Sequence, residues 1–260
     1  MSWPWKPVDW VDPEGGTIRL YPYLPTTIHP RGLRPRDDWD GVAFLLHEEE
    51  VESWDQEDEM EKSSPGASRV MALQGGGDMA KMLSRLEMID DVQVGRFPDP
   101  EPRRLYNYAE KVGLPYYFVE PGVDDEEWLD WMERSAIEAS RPLRMVGHLF
   151  ARRRFRKTWK RVQPEVTEPK IKQSSESLAL IAGLAATWWR LSEAALTNGL
   201  REERDERLIG RLRGALADLR EQKKDPLMIV PIIQDWVPEI LATLKKGGKV
   251  EPLESNKEVQ

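Results

Sequence analysis

Residues 109–122 read AEKVGLPYYFVEPG, and the reading of this stretch decides the fold class. A helix opening near Pro102 runs into Gly113, a residue type that ends helices because it takes the left-handed conformation without a Cβ clash. The run from Leu114 to Glu120 is then apolar almost throughout, which predicts a strand covered on both faces, as in a parallel sheet under helices. Pro121 and Gly122 stop it.

The same alternation extends in both directions. Candidate strands are Thr17 to Tyr23, Gly41 to His47, Arg69 to Gln74, Val92 to Phe97, Leu114 to Glu120 and Leu227 to Ile233. Between the third and fourth, Asp78 precedes Met82, Leu83, Leu86 and Ile89, spaced along one helical face. Gly75 to Gly77 is read as a turn between strand and helix; with Asp78 at the cap position it does not suit a phosphate.

From Asp124 the pattern is helical for about 100 residues, with helices predicted over 124–140, 142–162, 175–197 and 200–222. Ser174 or Ser175 is expected to cap the third, and Asn198 with Gly199 to end it. The run LMIVPII then returns to the sheet, and Pro231 within it, having no N–H, predicts an edge strand or a bulge. A last helix spans Val237 to Lys246, stopped by Gly247 and Gly248.

The expectation is an α/β fold: a mainly parallel or mixed sheet of five to six strands flanked by helices, with a helical insertion before the last strand. Residues 1–16 form an arm, 17–123 the α/β core, 124–222 a helical subdomain, 223–248 the returning strand and helix, and 249–260 a polar, disordered tail. The aromatics Trp3, Trp5, Trp10, Tyr21 and Tyr23 strap the arm to the domain, and the helical tryptophans are expected in the core.

Composition removes several chemistries. The 260 residues contain no cysteine, so disulfides, thiolate metal sites and cysteine nucleophiles are out, and a reducing, cytoplasmic setting is expected. The longest apolar stretch, Leu178 to Trp189, falls short of the roughly 20 residues that span a bilayer. The start MSWPWKPVDWVDPEGG lacks the basic then apolar pattern of an export signal. Three histidines, His29, His47 and His148, leave no complete catalytic site of a common type.

Charge is unevenly spread around a net of −8. The acidic block Glu48 to Glu61 offers oxygen ligands without the spacing of a calcium loop. Arg141 to Arg161 carries nine lysines and arginines and no acid, with Leu143, Val146, Phe150, Phe155, Trp159 and Val162 at helical spacing. Arg152, Arg153, Arg154, Arg156, Lys157 and Lys160 form its candidate binding face, for nucleic-acid phosphates, an anionic membrane surface or an acidic protein. Pairing with the acidic block of this chain or of a second copy is the competing reading.

Three segments, LPTTIHPRGL (24–33), AEKVGLPYYFVEPG (109–122) and REERDERLIGRLRGAL (201–216) followed by a strand and WVPEILATL (236–244), resemble the TraB/GumN superfamily, which includes the Tiki proteases. Thr27, Ile28 and His29 match its early G-T-x-H motif, with Thr26 in place of the glycine. Glu203, Arg204 and Asp205 match its E-R-[ND] helix, and Val237, Pro238, Ile240 and Leu241 the end of its G-x-x-H-x-P-G-[IL] motif. Trp236 stands in place of that motif's histidine, Glu239 of the glycine after proline and Ile233 of the upstream glycine.

The resemblance implies a metal-dependent hydrolase fold whose site is incomplete here, with His29, Glu203, Arg204 and Asp205 as catalytic remnants. A non-catalytic binding or regulatory module, with no cofactor, is the expected outcome. The alternative is an active hydrolase or peptidase with a rearranged site, holding a divalent metal on His29, Glu48 and Glu49.

Overall fold

A computed structural model describes residues 3–36, 38–141 and 150–256. Five strands form one sheet: β1 (Val8–Val11), β2 (Thr17–Tyr23), β3 (Gly41–Phe44), β4 (Tyr116–Phe118) and β5 (Leu227–Ile233). Their order is β1-β2-β5-β3-β4. β1 runs antiparallel to β2, and every other pair is parallel. Nine α-helices are present among the described residues: α1 (Glu50–Ser63), α2 (Ala67–Gln74), α3 (Gly77–Leu86), α4 (Pro100–Val112), α5 (Glu126–Ala139), α6 (Ala151–Val162), α7 (Ser175–Glu193), α8 (Asn198–Gln222) and α9 (Val237–Lys246). The fold is α/β, and no described helix is long and apolar enough to cross a membrane.

Each sheet face is covered. On one, Ile18, Leu20, Ala43, Tyr117, Met228 and Val230 meet Leu208, Leu212, Ala215 and Leu216 of α8 and Ile240 and Leu244 of α9. On the other, Tyr21, Val42, Phe44, Phe118 and Ile229 meet Trp54 of α1 and Leu105, Tyr106 and Ala109 of α4. A separate cluster joins α3, α6 and α7 with Trp3, Leu24 and Leu33. The helices of 124–222 therefore divide, α8 packing on the sheet and α6 and α7 in the second core.

α4 and β4 follow the pattern predicted for residues 109–122, with Gly113 left-handed at φ 71° after the helix. Elsewhere the sequence reading needs correction. Arg69 to Gln74 is helix α2, because a short apolar run of good helix formers fits either state until packing decides. Val92 to Phe97 is no strand; it pairs only through Ile28 N–H to Gln93 O and Arg96 N–H to Thr26 O. Gly75 to Gly77 thus links two helices, and the Asp78 carboxylate binds Lys81 instead of capping α3. Ser174 sits at the start of α7 without capping it, its hydroxyl donating to Asp91 O. Asn198 and Gly199 begin α8 rather than end α7, because the Thr197 side chain accepts the Leu200 N–H.

β5 lies at the centre, contrary to the expectation from Pro231. Leu227 bonds toward β3 through both its N–H and its C=O, so Ile229 and Pro231, two and four residues on, face that side too. Pairing with β3 ends at Ile229, so Pro231 lies beyond the last paired residue on that side.

Residues 1–16 contain strand β1, strapped on by Trp3 in the second core, Trp5 Nε1 donating to Thr167 O, and Asp12 bonded to Arg213. Residues 249–256 are docked, contrary to the disordered tail expected. Glu251 N–H donates to Gly210 O, Asn256 N–H to Tyr116 O on the open edge of β4, and Arg207 and Arg211 both pair with Glu251. This approach depends on two glycines of α8. A Cβ at Gly214 would stand 1.7 Å from Glu251 O, and one at Gly210 2.8 Å from Lys249 O.

Gly214→Ala is expected to release the tail and lower stability by about 1–3 kcal/mol. Denaturant midpoints give the loss, and amide exchange at Glu251 reports the release. An unchanged midpoint with Glu251 still protected contradicts this docking.

Candidate functional site

The carboxyl ends of the parallel strands are where an open α/β sheet leaves a crevice for ligands. Here Tyr23 of β2, Phe44 to Leu46 at the end of β3, Glu120 just past β4 and Pro231 to Ile233 of β5 surround a cavity of about 220 Å³. Its walls are completed by Trp128 and Trp131 of α5, Trp189 of α7, Arg204 and Leu208 of α8, and Trp236 in the turn after β5. Trp128 and Trp131 are three residues apart, which puts both rings on one face of α5, stacked at 4.5 Å between centroids. Trp189 and Trp236 approach to 5.0 Å.

Charge in the cavity is mostly committed. Arg204 donates from both Nη atoms to Glu193 at 2.7 and 2.9 Å and from Nε to Asp205 at 2.9 Å. Its guanidinium lies 4.7 Å from the Trp236 ring centroid and 6.0 Å from that of Trp189. Trp236 Nε1 reaches Asp205 at 3.5 Å. Burial raises the carboxyl pKa of Asp205 and of Glu120 above their usual range.

The predicted E-R-D triplet splits. Arg204 lines the cavity with Asp205 bonded to it and to Trp236, while Glu203 bonds Arg134 of α5 on the outside. His29 does not line the cavity; it is buried at 3% exposure within a closed network. Its Nε2 accepts the Leu24 N–H at 3.1 Å, which places the proton on Nδ1, 3.1 Å from the Tyr21 hydroxyl oxygen. Tyr21 in turn donates to Glu101 at 3.0 Å, and Glu101 also accepts the His29 N–H and binds Arg104. Against the burial that would raise it, the Glu101 carboxyl is held low by Arg104 and His29. Burial pushes the His29 pKa down to about 4.

Both imidazole nitrogens are thus used, and a divalent ion has no free lone pair to bind at His29. Glu48 and Glu49 lie apart, in a cleft with His47, Glu120, Asp124 and Asn256, where Glu48 accepts from Asn256 and Glu49 sits 3.6 Å from His47 Nδ1. Among the described residues no cluster of three or more histidines and carboxylates could hold a metal. The set His29, Glu48 and Glu49 therefore does not fit the ion that the resemblance implies.

The basic block is described from Phe150 onward, so Leu143, Val146 and His148 lie outside the described residues. On α6, Phe155 and Val162 are buried, while Arg152, Arg153, Arg156, Lys157 and Lys160 line an open groove with Phe150. Arg154 is half-buried. None of these six cations forms an ion pair with a described carboxylate. The acidic helix α1 is answered instead by Arg103 of α4, which binds Asp55 and Asp58.

Sequence reasoning placed the tryptophans in the core and passed over Glu120. The usable signals were the spacing of Trp128 and Trp131 and a glutamate at the carboxyl end of a strand. Compared with known protein families, with characterised proteins and with solved structures, the chain matches none.

Two tests concern the His29 loop. Thr26 holds a left-handed backbone at φ 54°, costly for a β-branched residue, and its buried hydroxyl makes no hydrogen bond. Thr26→Gly is expected to stabilise the protein by about 1 kcal/mol, seen as a raised melting temperature.

The second test is a pH profile. Burial, and after it the neighbouring Glu57 and Glu50, push the Asp99 carboxyl up to about 7, although it accepts the Thr26 N–H. His29, with its folded pKa below the unfolded one, loses stability as pH falls from about 6.5 toward 4; Asp99, with its folded pKa above, gains over nearly the same window. The slopes oppose. Asp99→Asn is expected to expose a profile falling toward acid, and His29→Gln one that rises, both measured by chemical denaturation between pH 4 and 7. Parallel profiles in the two variants contradict the assignment.

Proposed function

We propose that this chain is a non-catalytic binding module whose ligand enters the tryptophan-walled cavity at the carboxyl edge of the sheet. The observation that carries it is the wall itself: four indoles around a small cavity at the carboxyl edge of the sheet, with the charge of Arg204 held by Glu193 and Asp205. A largely apolar concavity with few polar groups is the common form of a small-molecule site. A catalytic reading through the motif residues finds less support, since a reacting group needs a free lone pair or proton within reach of substrate. Arg204 and Asp205 are occupied with each other, and His29 is walled into the network of Tyr21 and Glu101.

Descent from a TraB/GumN-like hydrolase is part of the proposal. Two features favour it. Thr26, at the position of the family's glycine, holds a positive φ of 54° that glycine takes without strain. Arg204, Asp205 and Trp236, drawn from two separate motif segments, meet at one wall of the cavity. Trp236 fills with an indole the position of the family's second histidine, as expected where a metal site has become an apolar pocket.

The test has two arms. Purified protein is expected to carry less than stoichiometric divalent metal and to show no peptidase activity; metal at one equivalent, lost in His29→Ala, overturns the reading. In the second arm, p-nitrobenzyl alcohol, a neutral aromatic quencher, is expected to quench tryptophan fluorescence saturably, with at least about tenfold weaker binding in Trp131→Ala. Quenching that rises linearly with concentration and is unaltered by Trp131→Ala contradicts a ligand site here.

A further inference from the structure

Resting on that reading of the cavity, the charge around it narrows the ligand class. Two charged side chains line the wall, Arg204 and Glu120. Arg204 is bonded through Nε to Asp205 and through both Nη atoms to Glu193, so its one positive charge is already shared by two carboxylates. Glu120 is different. Its backbone N–H bonds Leu46 O, but its carboxylate makes no hydrogen bond or ion pair with any described residue. It also lines the neighbouring polar cleft beside His47, so it stands between the indole-walled cavity and that cleft.

The surroundings carry an excess of negative charge. Glu193, Asp205 and Glu120 share the single guanidinium of Arg204. The neighbouring Arg190 is already bound by Glu165 and Asp235. Glu50 also acts on Glu120, and Glu239 lies within the influence of Asp235, Asp205 and Glu193. The carboxyl groups of Glu50, Glu120, Asp205, Asp235 and Glu239 are all shifted upward, by burial first. Of these, Glu120 lines the cavity, where a cation would pair with it.

Indole faces supply the complementary half. Their negative quadrupole attracts cations, tryptophan most strongly of the aromatic residues. Arg204 uses this attraction over Trp236, while Trp128 and Trp131 form a stacked pair on the α5 wall with no guanidinium over them among the described residues.

We infer that the ligand is a small organic amine borne as a cation, held between indole faces and the carboxylate of Glu120. A neutral ligand of the same shape would desolvate Glu120 without pairing it, and so binds more weakly than a cation. An anion would meet three carboxylates against the one guanidinium that two of them already hold.

Titration calorimetry with choline and with its neutral isostere 3,3-dimethylbutan-1-ol tests this, because the two differ in charge and hardly in shape. Wild-type protein is expected to bind choline at least about tenfold more tightly than the alcohol, a difference near 1.4 kcal/mol. Glu120→Gln, nearly isosteric, is expected to cut that preference to about threefold or less, by weakening choline and by lifting the desolvation penalty on the alcohol. Equal affinities in the wild-type protein overturn the amine assignment but leave the cavity as a binding site. A preference that survives Glu120→Gln removes Glu120 from the recognition. If neither compound binds and p-nitrobenzyl alcohol does not quench saturably, the cavity reading falls as well.

Discussion

β5 has a neighbour to pair with on each side and buried side chains on both faces, so every surface of this strand must be satisfied by something else in the chain. The rest of the architecture follows from that demand. α8 and α9 cover one face, α1 and α4 the other, and β2 and β3 supply the flanking backbone. Burying Met228, Ile229, Val230 and Ile232 gives on the order of 2 kcal/mol each relative to exposure, so displacing the strand would cost the sheet its centre. The tryptophan-walled cavity is a by-product of the same arrangement. Where β5 outruns β3 and turns at Gln234 to Trp236, no strand fills the gap, and the indoles of α5, α7 and the turn close around it.

The sequence made the parallel, two-sided character of this sheet legible, because doubly buried strands are apolar at successive positions and the Gly113 stop is unambiguous. It did not reveal which strand lay in the middle. Pro231 argued for an edge on the sound ground that it lacks a donor, but the rule concerns a residue paired in the ladder, and the pairing of β5 with β3 ends at Ile229. The strand and helix readings of Arg69 to Gln74 cannot be separated by periodicity over six residues, and packing against α3 settles them. The tail read as disordered from its polarity, whereas its docking depends on missing side chains at Gly210 and Gly214, which composition does not weigh.

The site was legible in part. Motif matching led to Arg204, Asp205 and Trp236, which do meet, and to His29, which is instead a buried structural residue. The difference lies in the second neighbour of each group. His29 Nε2 faces a backbone N–H, a partner no sequence pattern announces, and that one bond decides between a ligand and a strut. Glu120 shows the converse, an unremarkable glutamate in the sequence that becomes the one uncommitted charge in the cavity once β4 and α8 are in place.

The central place of β5 also bears on how the chain is made. Residues 17–44 and 116–118 supply β2, β3 and β4 long before residues 227–233 leave the ribosome. Until then β2 and β3 have no strand to join them, and the half-sheets β1-β2 and β3-β4 each present an unpaired inner edge. Closure therefore waits on contacts separated by about 200 residues, the kind of topology that folds slowly and exposes edges while it does so. A nascent chain of this protein is an early client for whatever shields β edges during synthesis.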